Sequence, residues 1–267
     1  MITLDSIVSG KVERPRRYLL TGLPKAGKSE TASQSEAPIF LPIIKEEGID
    51  DLDVKSFPVI ASWAQLEESI AALFLADSIP YKTVVIDSVS TLERLIHAEV
   101  CKASGDTAIS DVGGGYGRGT DRALGWWDNL TTWMDQLRAK HQVEIVMIGH
   151  VKKDSFDDPT AVSYDRWILN IDKKAAAHLE QWADCTLFQA PALHVSQTDA
   201  GFGKKVGKAT EGGVCLYTRN EPSHPGGGRG VYGRLPEKLF LPLGENWQTF
   251  KNAVAKATAE EKGSDSE

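Results

Sequence analysis

Gly22-Leu23-Pro24-Lys25-Ala26-Gly27-Lys28-Ser29 has the form G-x-x-x-x-G-K-[ST], and what flanks it decides the fold. Before it runs Arg17-Tyr18-Leu19-Leu20-Thr21, a short apolar stretch that reads as a buried strand. After it, Ser29-Glu30-Thr31-Ala32-Ser33 is able to open a helix. A strand, a glycine loop and a helix start aim successive backbone N–H groups at one point, which suits a polyphosphate. On this reading Gly22 through Glu30 form a nucleotide cradle. Lys28 reaches the β- and γ-phosphates, and the Ser29 hydroxyl completes the coordination of Mg²⁺.

The pattern continues outward as alternating strands and helices. Pro38 to Ile44 (P-I-F-L-P-I-I) reads as a second strand, and Lys45-Glu46-Glu47-Gly48 as the turn after it. Ser62 to Ala76 carries a helical stripe at Trp63, Leu66, Ile70, Leu73 and Phe74, with Ser62 as N-cap. Lys82 to Ser88 is a β-branched run that ends in an acid, and Val89 to Ala103 reads as helix. A glycine-rich loop, Gly105 to Gly119, precedes a long amphipathic helix from Asp121 to Lys140, and Val143 to His150 is the next strand. Such alternation predicts a mostly parallel twisted sheet with helices on both faces.

Beyond Val151 the expected order is a polar loop over Lys152 to Thr160, a helix over Lys173 to Ala183 and a strand over Asp184 to Gln189. Two more segments of strand character follow, around His194 and over Val214 to Arg219, an antiparallel extension of the sheet. Pro225 to Gly230 reads as a mobile glycine loop and Trp247 to Ala257 as a closing helix. The expected organisation is an arm over 1–17, one α/β domain over 18–257 and a disordered acidic tail over 258–267.

The 267 residues, 41% hydrophobic and 25% charged, suit a globular chain able to bury a sizeable core. The three cysteines are far apart and form no C-x-x-C pair, which argues against a disulfide framework or a zinc site. No apolar run approaches the roughly 20 residues of a membrane span, and the start has no signal-peptide h-region, so a cytoplasmic location is expected. Net charge is −7, yet Gly201 to Lys238 holds seven Lys/Arg against three Glu, a locally basic stretch suited to a polyanion.

Hydrolysis needs an acid for the metal and a group to orient water. Asp87 ends an apolar strand, 59 residues beyond Lys28. In a parallel sheet the carboxyl ends of the strands converge on the ligand crevice, which would bring Asp87 beside Ser29 and the metal. Glu46 and Glu47 follow the second strand at the same edge, and either suits the role of the base that handles the attacking water. His150 ends the fourth strand and suits a hydrogen bond to the γ-phosphate.

In order, these residues resemble the RecA-type P-loop ATPase core. They are more closely similar to the small phage and prophage ATP-binding proteins built on that core alone, which are implicated in single-strand annealing and recombination. The matching pieces are T-G-L-P-K-A-G-K-S, P-I-F-L-P-I-I-K-E-E-G-I-D-D-L-D-V, Y-K-T-V-V-I-D-S-V-S-T-L, I-G-H-V-K-K, Q-W-A-D-C-T-L-F and G-R-L-P-E-K-L-F-L-P, spread from Tyr18 to Trp247. The resemblance implies ATP with Mg²⁺, single-stranded DNA as partner, self-association into a ring or filament, and a single-strand-binding protein as a further partner. Glu46 matches the catalytic glutamate, with Glu47 the register alternative. His150 matches the switch position, which is glutamine in RecA itself. The loop with Lys152 and Lys153 matches one DNA-facing loop, and Gly113 to Gly119, with Tyr116 and Arg118, resembles the other. Lys204, Lys205, Arg219 and Arg229 are candidates for a cation supplied in trans. The competing readings are a helicase motor or its loader, a small-metabolite kinase, and a nucleotide-dependent regulatory switch that hardly hydrolyses.

Overall fold

The computed structural model describes residues 3–7, 9–157, 162–199 and 205–264, the side chains of 193–199, 205–212 and 264 excepted. Alternation in the P-loop strand, β1 (Arg17–Gly22), organises the molecule. Leu19 points to one face of the sheet and Tyr18 and Leu20 to the other, and all three are fully buried. A strand buried on both faces must be central. Accordingly β1 lies between β5 (Glu144–Phe156) and β7 (Cys185–Asp199), parallel to both.

Outward from β5 follow β4 (Thr83–Asp87), β2 (Pro38–Pro42) and the short β3 (Lys55–Ser56), all parallel. On the other side β8 (Lys205–Tyr217) and β10 (Lys238–Leu241) add in alternating direction. The path β10-β8-β7-β1-β5-β4-β2-β3 is thus a mostly parallel sheet with an antiparallel C-terminal extension, as expected. One strand, β5, separates the P-loop strand from the strand that ends in Asp87. That spacing leaves a crevice between the ends of β1 and β4, with Ile148 and His150, midway along β5, as its floor.

Helices α2 (Trp63–Leu75), α3 (Val89–Ser104), α4 (Arg118–His141) and α5 (Lys173–Trp182) cover one face. Trp127 of α4 is wholly buried there, and truncating such a side chain costs about 3–5 kcal/mol. The other face packs on α6 (Asn246–Ser264) through Trp247 and Phe250, with α1 (Lys28–Ser33) beside it. Helix starts follow local chemistry: the Ser62 and Ser88 hydroxyls accept the N–H groups of Gln65 and Thr91 at the heads of α2 and α3. No helix among the described residues is long and apolar enough to cross a membrane.

Several expectations need correction. The segment from Lys152 is not a loop: β5 runs on to Phe156 and pairs antiparallel with β6 (Tyr164–Leu169), making a hairpin. The strand expected over Asp184 to Gln189 and the segment around His194 are one continuous strand, β7, which pairs with a β8 that starts well before Val214 to make one ribbon. The glycine stretch at 225–230 is packed, since β9 (Gly227–Gly228) pairs with the start of β7. A Cβ at Gly226 would lie 2.3 Å from the Arg219 carbonyl. Helix α6 continues to Ser264, through most of the segment expected to be disordered. The arm adds a short 3-10 turn at Leu4–Ser6, and its Lys11 reaches Glu261 of α6 at 3.2 Å.

Candidate active site

At the carboxyl ends of β1 and β4, and beside His150 midway along β5 rather than at its end, Lys28, Ser29, Glu46, Asp87 and His150 line one cleft of about 440 Å³. The Ser29 hydroxyl donates to Asp87 Oδ2 at 2.6 Å, which ties the P-loop helix to the acid at the end of β4. Burial pushes the Asp87 carboxyl above the usual aspartate range, with the Ser29 bond and the Lys28 charge partly opposing it. A hydroxyl and a carboxylate oxygen so placed form the all-oxygen donor set that a hard divalent cation takes, and a cation would offset the cost of keeping Asp87 ionised. These two residues fit Mg²⁺.

Lys28 folds back on its own loop, its Nζ donating to the carbonyls of Gly22 at 3.1 Å and Leu23 at 2.8 Å. Only 5% of it is exposed. Desolvation brings its pKa down to about 8, against the pull of Asp87 and Glu46.

The choice between the two glutamates is made by the turn after β2. Glu46 enters the cleft, whereas Glu47 is exposed and does not line it. Glu46 is closely held. Ser88 Oγ donates to its Oε1 at 2.6 Å, and His150 Nε2 lies 3.1 and 3.3 Å from its two oxygens. Burial opposes its charge, but the bonds from His150 and Ser88 and the attraction of His150 prevail, so Glu46 sits below the usual glutamate range. An ionised Glu46 needs a donor, which assigns the imidazole hydrogen to Nε2. His150 Nδ1 is then a buried nitrogen without a hydrogen-bond partner among the described residues.

Gly48 closes the turn over the cleft. A Cβ there would lie 2.8 Å from Ser29 Oγ and 3.8 Å from Asp87 Oδ2. Ser88 and Gly48 were not singled out from sequence, although each stands beside a residue that was; V-V-I-D-S and K-E-E-G were the available signals.

The remaining candidates lie elsewhere. Tyr116 is 98% exposed on the glycine loop ahead of α4, and Arg118 turns back to donate to the Gly113 carbonyl at 2.6 Å. Lys152 donates to the Ile171 carbonyl at 3.4 Å, and Lys153 pairs with Asp165 across the hairpin at 2.5 Å. Arg229 is 3.7 Å from Asp184 at the opposite, amino-terminal edge of the sheet. Arg219 donates to the Leu235 carbonyl at 2.9 Å. Neither arginine lines the cleft of its own chain. Lys204 lies outside the described residues, as does the side chain of Lys205.

No curated protein matches this chain. Among solved structures, that of the RadB recombinase matches 80% of this chain and 91% of its own, at 13% identity and a TM-score of 0.39. The RecA-like arrangement is read from the sheet itself, in which the strand order and the crevice between β1 and β4 put the P-loop and Asp87 together. The family model described as AAA domain matches residues 14–230, most of the sequence and all of the cleft. The chain therefore belongs to the AAA-domain family and is a P-loop ATPase of the RecA-like fold.

Proposed function

We propose that this chain is a Mg²⁺-dependent ATPase whose turnover is coupled to single-stranded DNA, in recombination or annealing of the phage type, working as a self-associated ring or filament. The observation that carries the catalytic part is the Ser88–Glu46–His150 cluster facing the Ser29–Asp87 pair across one cleft. Lys28 and the P-loop N–H groups bind the β- and γ-phosphates. Ser29 and Asp87 are the residues that would hold Mg²⁺, which when bound neutralises charge on the phosphate oxygens. Glu46 takes the proton of the attacking water, or orients that water in line. His150 Nε2, which Glu46 holds here, is the donor that would turn to the γ-phosphate, so loss of that phosphate is felt at the start of the β5–β6 hairpin.

The DNA part draws support from two features on one side of the molecule. Lys173 and Lys174 open α5. Lys173 pairs with Asp154 of the hairpin at 3.3 Å, and Lys174 pairs with Asp121 in the first turn of α4, just after the Tyr116 loop. The β5–β6 hairpin and the Tyr116 loop are thus neighbours. An exposed tyrosine between glycines suits base stacking, and Lys153, Lys173 and Lys174 would exchange their carboxylate partners for phosphates.

The test is phosphate release from ATP with and without a single-stranded oligonucleotide, with the same samples viewed by negative-stain microscopy. Stimulation by the oligonucleotide together with rings or filaments supports the proposal; turnover indifferent to DNA, with no oligonucleotide binding, sinks it. Tyr116→Ala is expected to weaken oligonucleotide binding by about 1–3 kcal/mol and to leave the melting temperature unchanged, checked by fluorescence anisotropy and thermal unfolding. Duplex unwinding in the same samples would favour a helicase motor instead.

Gly48→Ala tests the metal side. The added methyl would crowd Ser29 Oγ, so the Mg²⁺ concentration for half-maximal turnover is expected to rise severalfold while the melting temperature stays put. An unchanged Mg²⁺ titration would show that the turn yields without disturbing Ser29.

A further inference from the structure

Behind the P-loop, at the top of β7, Gln189 is wholly buried. Its Nε2 donates to the Ala26 carbonyl at 2.6 Å, across 163 positions of sequence. Its own backbone carbonyl accepts the N–H of Leu23 at 3.3 Å. One residue therefore grips the loop at both its start and its finish. The grip is tight: a Cβ at Gly22 would lie 2.1 Å from the Gln189 carbonyl oxygen, and one at Gly27 would lie 3.6 Å from Gln189 Nε2. Gln189 Oε1 is buried with no hydrogen-bond partner among the described residues, so the bond to Ala26 alone orients the amide. The opposite orientation would set two oxygens against each other.

This bond has a directional consequence. In a trans peptide the C=O of one residue and the N–H of the next point to opposite sides of the chain. Drawing the Ala26 carbonyl down toward β7 turns the Gly27 N–H the other way, into the cleft. That is the orientation a phosphate-binding nest requires. Gly27 stands at φ 79°, where a side chain is disfavoured and the peptide plane is easily turned if nothing holds it.

We propose that Gln189 is a positioning residue for the phosphate site: its side-chain amide fixes the Ala26–Gly27 peptide so that the Gly27 N–H faces a bound phosphate. The proposal rests on the nucleotide reading of the cleft and goes beyond it, because Gln189 touches no nucleotide and lies outside the P-loop motif. A donor supplied equally to the ground state and the transition state governs binding more than the chemical step.

The experiment compares wild type with Gln189→Met, which keeps length and bulk but has no amide. Binding of fluorescently labelled ADP and AMP and steady-state ATP turnover are measured on both, alongside thermal unfolding. For Gln189→Met the ADP Kd and the ATP KM are expected to rise about tenfold, with kcat within about twofold and AMP binding unaltered. A Gln189→Met protein that melts lower yet binds ADP as wild type does has lost only packing, and that overturns the proposal. So does a fall in kcat with KM unmoved. Wild type that binds no ADP overturns the nucleotide reading and this proposal with it, whereas equal ADP binding by both proteins overturns this proposal alone. If Gln189→Met does not fold, amide resonances of the wild type decide. ADP but not AMP is expected to shift Gly27, while the Gln189 side-chain amide stays slow to exchange. A Gly27 resonance that ADP leaves in place, or a fast-exchanging Gln189 amide, overturns it.

Discussion

Glu46→Gln is expected to lower ATP turnover by about 10²–10⁴-fold while leaving nucleotide affinity near that of the wild type. The amide keeps the shape of the side chain and an oxygen to accept the Ser88 hydroxyl, but it cannot take a proton from water. Glu47→Gln is the matched control, expected to keep turnover within about twofold because that side chain is exposed and outside the cleft. The pH profile carries the same signature. His150 and Ser88 overcome the effect of burial and hold Glu46 below the usual glutamate range, so the basic form persists to low pH. The acid limb of kcat is expected below the position of an ordinary glutamate. If Glu46→Gln turned over like wild type and Glu47→Gln did not, the assignment would pass to Glu47. If neither variant changed a rate already close to zero, the chain would be a nucleotide switch.

The register of those two glutamates shows why part of the site could be read from sequence and part could not. Lys28, Ser29 and Asp87 are specified by local patterns, a glycine loop after one strand and an acid at the end of another, and parallel strands deliver them to the same edge. Glu46 and Glu47 sit in a turn, where no periodicity tells which side chain faces in. Ser88 was adjacent to a recognised acid, but its bond to Glu46 spans 42 positions. Gln189 acts across 163 positions and leaves no local trace.

The misread elements have equally physical causes. Val151 to Phe156 is polar because most of that strand projects beyond the core, so apolar alternation was absent although a ladder to β6 exists. Gly226 and Gly228 mark close approach of backbones rather than mobility, a meaning glycine also has in strands.

Lys28→Ala is expected to cut turnover by about 10²–10³-fold and to abolish a pH dependence of nucleotide binding that the wild type displays. Desolvation lowers Lys28 to about 8, and Asp87 and Glu46 recover only part of the loss. A polyphosphate drawn into the cleft favours the ammonium form and restores the pKa upward. Binding must then take up a proton wherever free Lys28 is neutral: about half a proton per nucleotide at pH 8 and close to one at pH 9. Affinity in the wild type is expected to fall as pH rises through 8, by up to about tenfold per unit. Titration calorimetry in buffers of different ionisation enthalpy reads the proton count directly. The sign for folding is opposite. Unfolded chain keeps the Lys28 proton up to its ordinary value of 10.5 while the free folded protein has lost it from about 8, so within that window the free protein gains stability with rising pH. Nucleotide removes that gain, because the bound Lys28 stays protonated. A wild-type affinity that is flat from pH 7 to 9.5, with no proton uptake, would mean that Lys28 keeps its charge on the Gly22 and Leu23 carbonyls and that its burial is harmless. Lys28→Ala must show the flat profile if the lysine is the group that titrates.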